Sequence, residues 1–270
     1  MHCTCKVNSF YDLYSMNIKE FLDEKAAEFE TRDFIPDDPI SIPHLFTDKK
    51  DVEIAGFLAA TIAWGNRKSI LKNAHSMIER MDHSPYDFIM GFEKSDERAF
   101  EGFVHRTFQY EDVIYFMHTL RKLITEYGSI ESVMSDHWVK NGKPDSLKDS
   151  LINFHSEFFK YDHSARTRKH VANPASGSAA KRLNMYLRWM VRSPKRGVDL
   201  GVWQKIPSSV LSIPLDVHTS NVGRKLGLIS RKQNDWKTVA EYDKELRSMD
   251  SEDPVKYDFA LFGLGAIDGF

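Results

Sequence analysis

The sequence predicts an all-α protein, and three observations lead to that prediction. Apolar residues recur at helical spacing along most of the 270-residue chain, and no segment has the apolar–polar alternation of a half-buried strand. A capping residue followed by proline marks helix starts at Ser84-Pro85 and Asp253-Pro254. The chain has no internal repeat, and its length suits one large domain or two lobes that share a core.

The predicted helices follow the apolar stripes and their capping signals. The first, 17–30, has one apolar face and precedes a Pro- and Asp-rich connection, 32–50. Helix 51–64 is so strongly apolar that we expect it to be central. Segment 161–177 is polar and basic, and we expect it to be irregular. The other helices are predicted at 68–81, 84–90, 111–127, 130–139, 146–159, 178–192, 217–226, 236–247 and 254–262.

The charge distribution bears on the class of partner. The net charge is −2, so the overall charge does not indicate a nucleic-acid partner. Within 160–196, however, Asp162 alone opposes ten basic side chains, which are Lys160, Arg166, Arg168, Lys169, Lys181, Arg182, Arg188, Arg192, Lys195 and Arg196. Such a patch suits phosphate groups. A solvated loop and helix face is the alternative interpretation.

The composition also limits the cofactors and the compartment. Cys3 and Cys5 are the only cysteines, so the chain has no disulfide framework and no four-cysteine cluster site. The histidines lack zinc-site spacing, and no phosphate-binding glycine loop is present. No apolar run is long enough to span a membrane, and no signal peptide is recognisable. We therefore expect a cytoplasmic protein without metal or cofactor. Residues 1–15 lack a structural pattern, and Met16 is a candidate start residue.

The most specific chemical signal is the segment Ile213-Pro214-Leu215-Asp216-Val217-His218-Thr219. Its aspartate stands just before a predicted helix that carries basic residues and ends at Gly227. A carboxylate at a helix N-terminus is stabilised by the free N–H groups and the helix dipole. We therefore expect Asp216 to be ionised at neutral pH and able to face a cationic transition state. An ordinary N-cap aspartate is the alternative interpretation.

This segment, together with Leu226-Gly227-Leu228, resembles the aspartate-containing segment of the helix-hairpin-helix DNA glycosylases, the endonuclease III superfamily. The family pattern there is apolar-Pro-Val-Asp-Thr-His, followed by Arg-Leu-Gly-Leu. Here the Asp, the His and the closing Leu-Gly-Leu keep their offsets. Residues 53–73 also resemble the opening helix pair of that superfamily. The resemblance implies two helical lobes with a central cleft, 51–160 and 161–270, with residues 1–50 packing on the second lobe.

The resemblance implies an enzyme that breaks the bond between a damaged base and C1′ of its sugar. Asp216 would stabilise the positive charge that develops on the sugar. Strand cleavage also requires an amine that attacks C1′ and forms a Schiff base. Lys181 fits this role best, because the nearby Arg182 and Arg188 favour a neutral amine. A phosphate-contacting or solvated lysine is the alternative interpretation.

The hairpin departs from the common family pattern, in which the nucleophilic lysine follows the last glycine of Leu-Pro-Gly-Val-Gly by two residues. Here the corresponding segment is Asn173-Pro174-Ala175-Ser176-Gly177, and Lys181 comes four residues after Gly177. The separation of Lys181 from Asp216 is also wider than in endonuclease III. Both features are similar to the archaeal 8-oxoguanine glycosylases, so the resemblance implies a bacterial family near that branch, with 8-oxoguanine as the expected lesion.

DNA contacts are predicted from the position of turns and from charge. A glycine turn entering a helix exposes N–H groups that can grip a phosphate, although Ser178 as a plain N-cap is the alternative. The turn 63–67 occupies the place where the family inserts a side chain into the duplex. The predicted DNA-binding residues are Gly177, Ser178, Arg182, Arg188, Arg192, Asn66 and Arg67.

The predicted base pocket consists of side chains that could hold an extruded base by stacking or at its edge. Each aromatic candidate has a core position as its alternative, and His218 has a structural role as its alternative. The candidates are Trp64, Trp189, His218 and Phe270, with Trp203 as a further one.

These observations together predict a monomeric DNA glycosylase, with or without lyase activity, that acts in base excision repair. Its partner is double-stranded DNA with a lesion, and the chain carries no iron–sulfur cluster. Two alternatives stay open. One is a catalytically inactive DNA-binding protein on the same scaffold, which the shifted Lys181 and the modest net charge favour. The other is a helical interaction module without a nucleic-acid role.

Overall fold

Eleven α-helices dominate residues 17–270, the part of the chain that the computed structural model describes. The mostly helical prediction is therefore confirmed for these residues. Residues 1–15 with Cys3 and Cys5, and the candidate start Met16, lie outside the described residues. The helices are α1 (Ile18–Phe29), α2 (Lys49–Thr61), α3 (Arg67–Glu79), α4 (Pro85–Gly91), α5 (Tyr110–Tyr127), α6 (Ile130–Lys140), α7 (Lys148–Phe158), α8 (Lys181–Val191), α9 (Val217–Lys225), α10 (Trp236–Met249) and α11 (Tyr257–Ala266).

Local signals explain where these helices begin. The side chains of Asn17, Asp48, Asn66, Asp216 and Asp235 each accept a backbone N–H from the first turn of the helix that follows. These bonds satisfy donors that have no partner within the helix. None of the helices in residues 17–270 is long and apolar enough to cross a membrane.

One short pair of strands accompanies the helices and was not predicted from the sequence. Val104–His105 (β1) and Phe108–Gln109 (β2) form an antiparallel hairpin, in which Val104 pairs with Gln109 and His105 with Phe108. Strands of two residues are too short for an alternating pattern to be recognised in the sequence. The hairpin holds His105 edge-on against Trp64, with 4.9 Å between the ring centroids.

Helix α2 forms the centre of the packing, as predicted. Every residue from Val52 to Thr61 is buried, and the helix contacts α3, α4 and α8. Helices α5, α6 and α7 pack on one another. Helix α1 packs on α11, which also contacts α9. The N-terminal helix is thereby joined to the C-terminal part of the chain.

Two arginines, Arg188 of α8 and Arg192 just after it, form a buried network of ion pairs. Arg188 pairs with Asp199 and Asp258, and Arg192 Nη1 lies 2.5 Å from Asp199 Oδ2 and 2.8 Å from Glu30 Oε1. These acids come from the end of α1, the connection after α8, and α11. Because a buried charge without a partner is costly, the network fixes the position of α8 against all three.

Another buried carboxylate, Glu53 of α2, caps a different helix. Its side chain accepts the N–H groups of Ile130 at 3.1 Å and Glu131 at 2.8 Å, at the start of α6. Burial raises the pKa of Glu53 to about 7, even though both N–H groups favour the charged form.

This raised pKa makes the stability of the fold depend on pH. In the unfolded chain the carboxyl of Glu53 ionises near its ordinary pKa of 4.5, so the folded protein binds more protons between that pH and about 7. The free energy of unfolding should therefore fall as pH rises through this window. Glu53→Gln should remove on the order of 3 kcal/mol of that fall. Urea unfolding at both ends of the window measures it.

The exposed Glu111, which starts its helix on the surface, provides the control. Glu111→Gln should keep the pH dependence of the wild-type protein. Equal pH dependence in the Glu53→Gln variant and the wild type would contradict this account.

Candidate active site

A cleft of about 1110 Å³ contains most of the polar side chains that could carry chemistry. Its walls come from the connection before α2, the turn between α2 and α3, the segment that leads into α8, the start of α9, and α11. The charged side chains that line it are Asp38, Arg67, Arg168, Lys169, Lys181, Arg182, Arg188, Asp216 and Asp258.

Lys181 and Asp216 face each other in this cleft. Lys181 Nζ lies 3.1 Å from Asp216 Oδ2, with the lysine side chain 39% exposed and the aspartate side chain 12% exposed. Asp216 is the N-cap of α9, as predicted, because its Oδ1 accepts the N–H of Thr219 at 2.9 Å. In return, the N–H of Asp216 donates to Thr219 Oγ1 at 2.8 Å. The cap fixes the direction in which the carboxylate faces the amine.

The four-residue spacing from Gly177 to Lys181 has a structural cause. Helix α8 begins at Lys181, not at residue 178 as predicted. The preceding residues bridge to the start of α10, where Trp236 N–H donates to the Gly177 carbonyl at 3.0 Å. Gly177 (φ +87°) and Ala180 (φ +48°) both have left-handed backbone conformations. The left-handed residues bend the chain at both ends of the segment 177–180. Lys181 therefore lies in the first turn of α8, where it lines the cleft.

Two further acids in the cleft were not predicted. Asp258 of α11 pairs with Arg188. Burial, opposed by Arg188 and assisted by the negative charge of Asp216, raises the pKa of Asp258 to about 6. Burial also raises the pKa of Asp38, whose Oδ1 accepts the N–H of Ile40 at 3.0 Å. The Pro- and Asp-rich composition around Asp38 was a usable signal, whereas no motif marks Asp258.

Four of the predicted site residues need correction. Arg188 and Arg192 were predicted to hold phosphate, but both are buried and use their guanidinium groups in the ion pairs described above. Trp189 was predicted to line a base pocket, but it is fully buried in the core. Trp203 is also a core side chain, packed edge-on against Tyr186. The arginines can lie inside the protein because acids distant in sequence neutralise them.

Trp64 and Arg182 lie together on one wall of the cleft. The Arg182 guanidinium carbon is 4.7 Å from the centroid of the Trp64 ring, within the range of a cation–π interaction. Arg182 also donates to the carbonyl oxygens of Thr61 and Lys169. Burial lowers the pKa of Arg182 to about 10, which still leaves it a cation at neutral pH.

The turn that carries Trp64 requires a glycine after it. Gly65 has φ +102°, and a Cβ atom there would lie 2.9 Å from Arg106 Nη1. A side chain at this position would strain the backbone and displace the arginine of the β1–β2 hairpin. The position of Trp64 in the cleft thus depends on Gly65 and His105.

The other predicted residues divide between the cleft and its surroundings. Arg67, Ser178 and His218 line the cleft, and His218 Nδ1 lies 3.2 Å from the carbonyl oxygen of Gly265. Asn66 caps α3 and Gly177 is exposed, and neither lines the cleft. Phe270 lies outside it, with the Lys225 ammonium 5.4 Å from its ring centroid.

Within residues 17–270, no group of three His, Cys, Asp or Glu side chains is arranged to hold a metal ion. The groups that the cleft itself offers for chemistry are amines, carboxylates, guanidinium groups and the imidazoles of His155 and His218 in a partly buried setting.

The chain belongs to the family described as "Protein of unknown function (DUF2400)", whose model matches residues 38–267. No curated protein and no solved structure matches it. The matched range contains Asp38, Lys181, Asp216 and Asp258, so the four charged groups at the centre of the site lie within the family region.

The ion pair beneath the cleft should contribute strongly to stability. Arg188→Gln leaves Asp258 buried without its cation, so the free energy of unfolding should fall by about 3–5 kcal/mol. Adding Asp258→Asn should restore part of the loss, because it removes the uncompensated charge. Urea unfolding measures both effects. Arg67→Gln, at an exposed cleft arginine, is the control and should change stability by less than about 0.5 kcal/mol. A comparable loss in the control would contradict this assignment.

Proposed function

We propose that this member of the DUF2400 family is a DNA glycosylase of the helix-hairpin-helix type that also has lyase activity. The observation that carries the proposal is the 3.1 Å contact between an amine, Lys181, and a helix-capping carboxylate, Asp216, in one cleft. An amine that attacks C1′ and a carboxylate that stabilises the sugar cation are the two groups that this chemistry needs. The cleft is also as large as typical small-molecule sites.

The proposed reaction begins with extrusion of the damaged nucleotide into the cleft. Lys181 transfers its additional proton to Asp216, which passes it to the departing base, so that the carboxylate is ionised again while positive charge develops on the sugar; the neutral amine then attacks C1′. A bond forms between Nζ and C1′, and the bond between C1′ and the base breaks, with its electron pair leaving on the base. The bond between C1′ and O4′ of the sugar then breaks as a proton moves from Nζ to O4′, which opens the ring and leaves a protonated Schiff base between Lys181 and C1′. Loss of a proton from C2′ allows the 3′ phosphate to leave, which cuts the strand.

The fold proposed for this function has two lobes, 51–160 and 161–270, with residues 1–50 on the second. Two features support it. Helix α1 packs on α11, which joins the N-terminal segment to the C-terminal part of the chain. Helices α7 and α8 flank the segment 159–180, which takes the place of the hairpin. We propose 8-oxoguanine as the lesion, with Trp64 as a stacking face and His218 at the rim.

A DNA-binding protein without catalytic activity is the second candidate. The ion pair favours it, because the amine that would attack C1′ is already in contact with a carboxylate at 3.1 Å. Single-turnover assays on a panel of lesion-containing duplexes separate the two candidates. Release of a base supports the enzyme, whereas bound and intact DNA across the panel supports the second candidate. A helical interaction module would show no salt-dependent DNA binding at all.

The role of Lys181 can be tested by trapping. Borohydride should reduce the Schiff base and leave the protein covalently attached to lesion-containing DNA, and Lys181→Gln should abolish this adduct. Lys195→Gln, which removes a lysine that does not line the cleft, should retain it. Denaturing gel electrophoresis measures the adduct. An undiminished adduct in the Lys181→Gln variant would remove Lys181 from the mechanism.

The role of Asp216 has a closely matched control. Asp216 and Asp235 each cap a helix and accept the N–H of a threonine three residues later at 2.9 Å, but Asp235 does not line the cleft. Asp216→Asn should slow base release by about 10²–10³-fold, since it removes a charge that stabilises the transition state. Asp235→Asn should leave the rate unchanged. Asparagine caps helices well, so both variants should fold and bind DNA. Full activity in Asp216→Asn would refute the assignment.

A further inference from the structure

We infer that the basic segment Ala165–His170, and not the turn at Gly177, holds the phosphate groups of a bound nucleic-acid strand. The inference rests on the proposed function only in taking a nucleic acid as the ligand. It requires neither base release nor a covalent intermediate, so the two can be tested apart.

The first observation is an excess of cations on the cleft wall. Arg168 and Lys169 are exposed and line the cleft, and neither makes an ion pair with a carboxylate of residues 17–270. The same is true of Arg67 and of Arg182 within that range. Two of the three cleft acids instead meet other cations, since Asp216 pairs with Lys181 and Asp258 with Arg188, and the third, Asp38, accepts the N–H of Ile40. The wall therefore has a positive charge that the described protein does not neutralise.

The second observation is a clamp that directs these two cations outward. Asp112 of α5 is fully buried, and it meets three residues of the segment. Arg166 Nη1 lies 3.0 Å from Asp112 Oδ2, Thr167 Oγ1 donates to Oδ1 at 2.7 Å, and His170 Nε2 lies 3.5 Å from Oδ2. With these side chains turned toward Asp112, the intervening Arg168 and Lys169 project to the cleft. Binding to a preformed arrangement loses less conformational entropy.

The segment is also continuous with the base-contacting wall proposed above. The carbonyl oxygen of Lys169 accepts a hydrogen bond from Arg182 Nη2 at 3.2 Å, and Arg182 lies over the ring of Trp64. Cations that lie beside an aromatic face suit a nucleotide, because its phosphates need positive charge and its base needs a flat apolar surface. Four cations that line the cleft, none paired with an acid of residues 17–270, suit a strand better than a single phosphate.

The turn at Gly177, by contrast, already uses both backbone polar groups of its glycine. Its N–H donates to the Pro174 carbonyl at 3.0 Å, and its carbonyl accepts the N–H of Trp236 at 3.0 Å. Ser178 Oγ accepts the N–H of Ala180 at 3.2 Å. A phosphate held by the N–H of Gly177 would need the bond to Pro174 to break.

The test measures how DNA affinity depends on salt. The probes are a duplex with a stable abasic-site analogue, the corresponding single strand, and adenosine monophosphate, each followed by fluorescence or calorimetry. For the duplex, the double variant Arg168→Gln/Lys169→Gln should lower the slope of log affinity against log salt by about 2, one for each lost phosphate contact. Gly177→Asn, which tolerates the left-handed backbone, should leave the slope unchanged.

Lys195→Gln/Arg196→Gln is the matched control. It removes the same charge from another short 3₁₀ turn, Pro194–Arg196, which does not line the cleft. An unchanged slope in the Arg168/Lys169 variant, or an equal loss in the control, would overturn the inference. Equal affinity for the mononucleotide and the strands would overturn the assignment of a strand as ligand. If the slope falls as expected while no lesion is excised, the segment is supported and the glycosylase proposal fails.

Discussion

The ion pairs beneath α8 are the constraint on which the site depends. Arg188 and Arg192 enter the interior as cations, and they meet Asp199 together with acids from α11, the end of α1 and the connection before α11. A buried charge must be neutralised close by, so these segments can adopt only a narrow range of relative positions. Because Lys181 begins the helix that leads to both arginines, the same network sets where its amine meets Asp216.

The cleft separates its charges by location. Its acids have little exposure to solvent, since Asp38 and Asp258 are buried and Asp216 is partly buried. The cations without an acidic partner in the described chain come from the start of α3, the segment before α8 and the first turn of α8. A carboxylate with little solvent exposure contacts few water molecules, so its charge interacts strongly with neighbouring charges. Exposed cations interact over longer distances with a mobile anion. This separation gives one region suited to reaction and another suited to binding.

In the site, Lys181 and Asp216 are in contact although they are widely separated in the sequence. Three residues before α8 extend along the start of α10 in place of another helical turn, and positive φ angles at Gly177 and Ala180 bound the extension. Non-glycine residues seldom adopt that conformation, and Ala180 is held there by its buried position between two elements. The wide sequence separation of Lys181 and Asp216 is thus compatible with direct contact.

Most of the local structure could be predicted from the amino-acid sequence. Helix positions, the central place of α2 and the capping role of Asp216 follow from apolar spacing and from hydrogen bonds between residues close in the chain. The tertiary structure decided which polar side chains are accessible. Arg188 looked like a solvated cation, because the acids that pair with it, Asp199 and Asp258, lie on other elements. The same reason explains why Asp258 lines the cleft although it was not predicted, and why Trp189 is a core residue. Burial depends on which helix faces meet, and contacts between segments far apart in sequence set those faces.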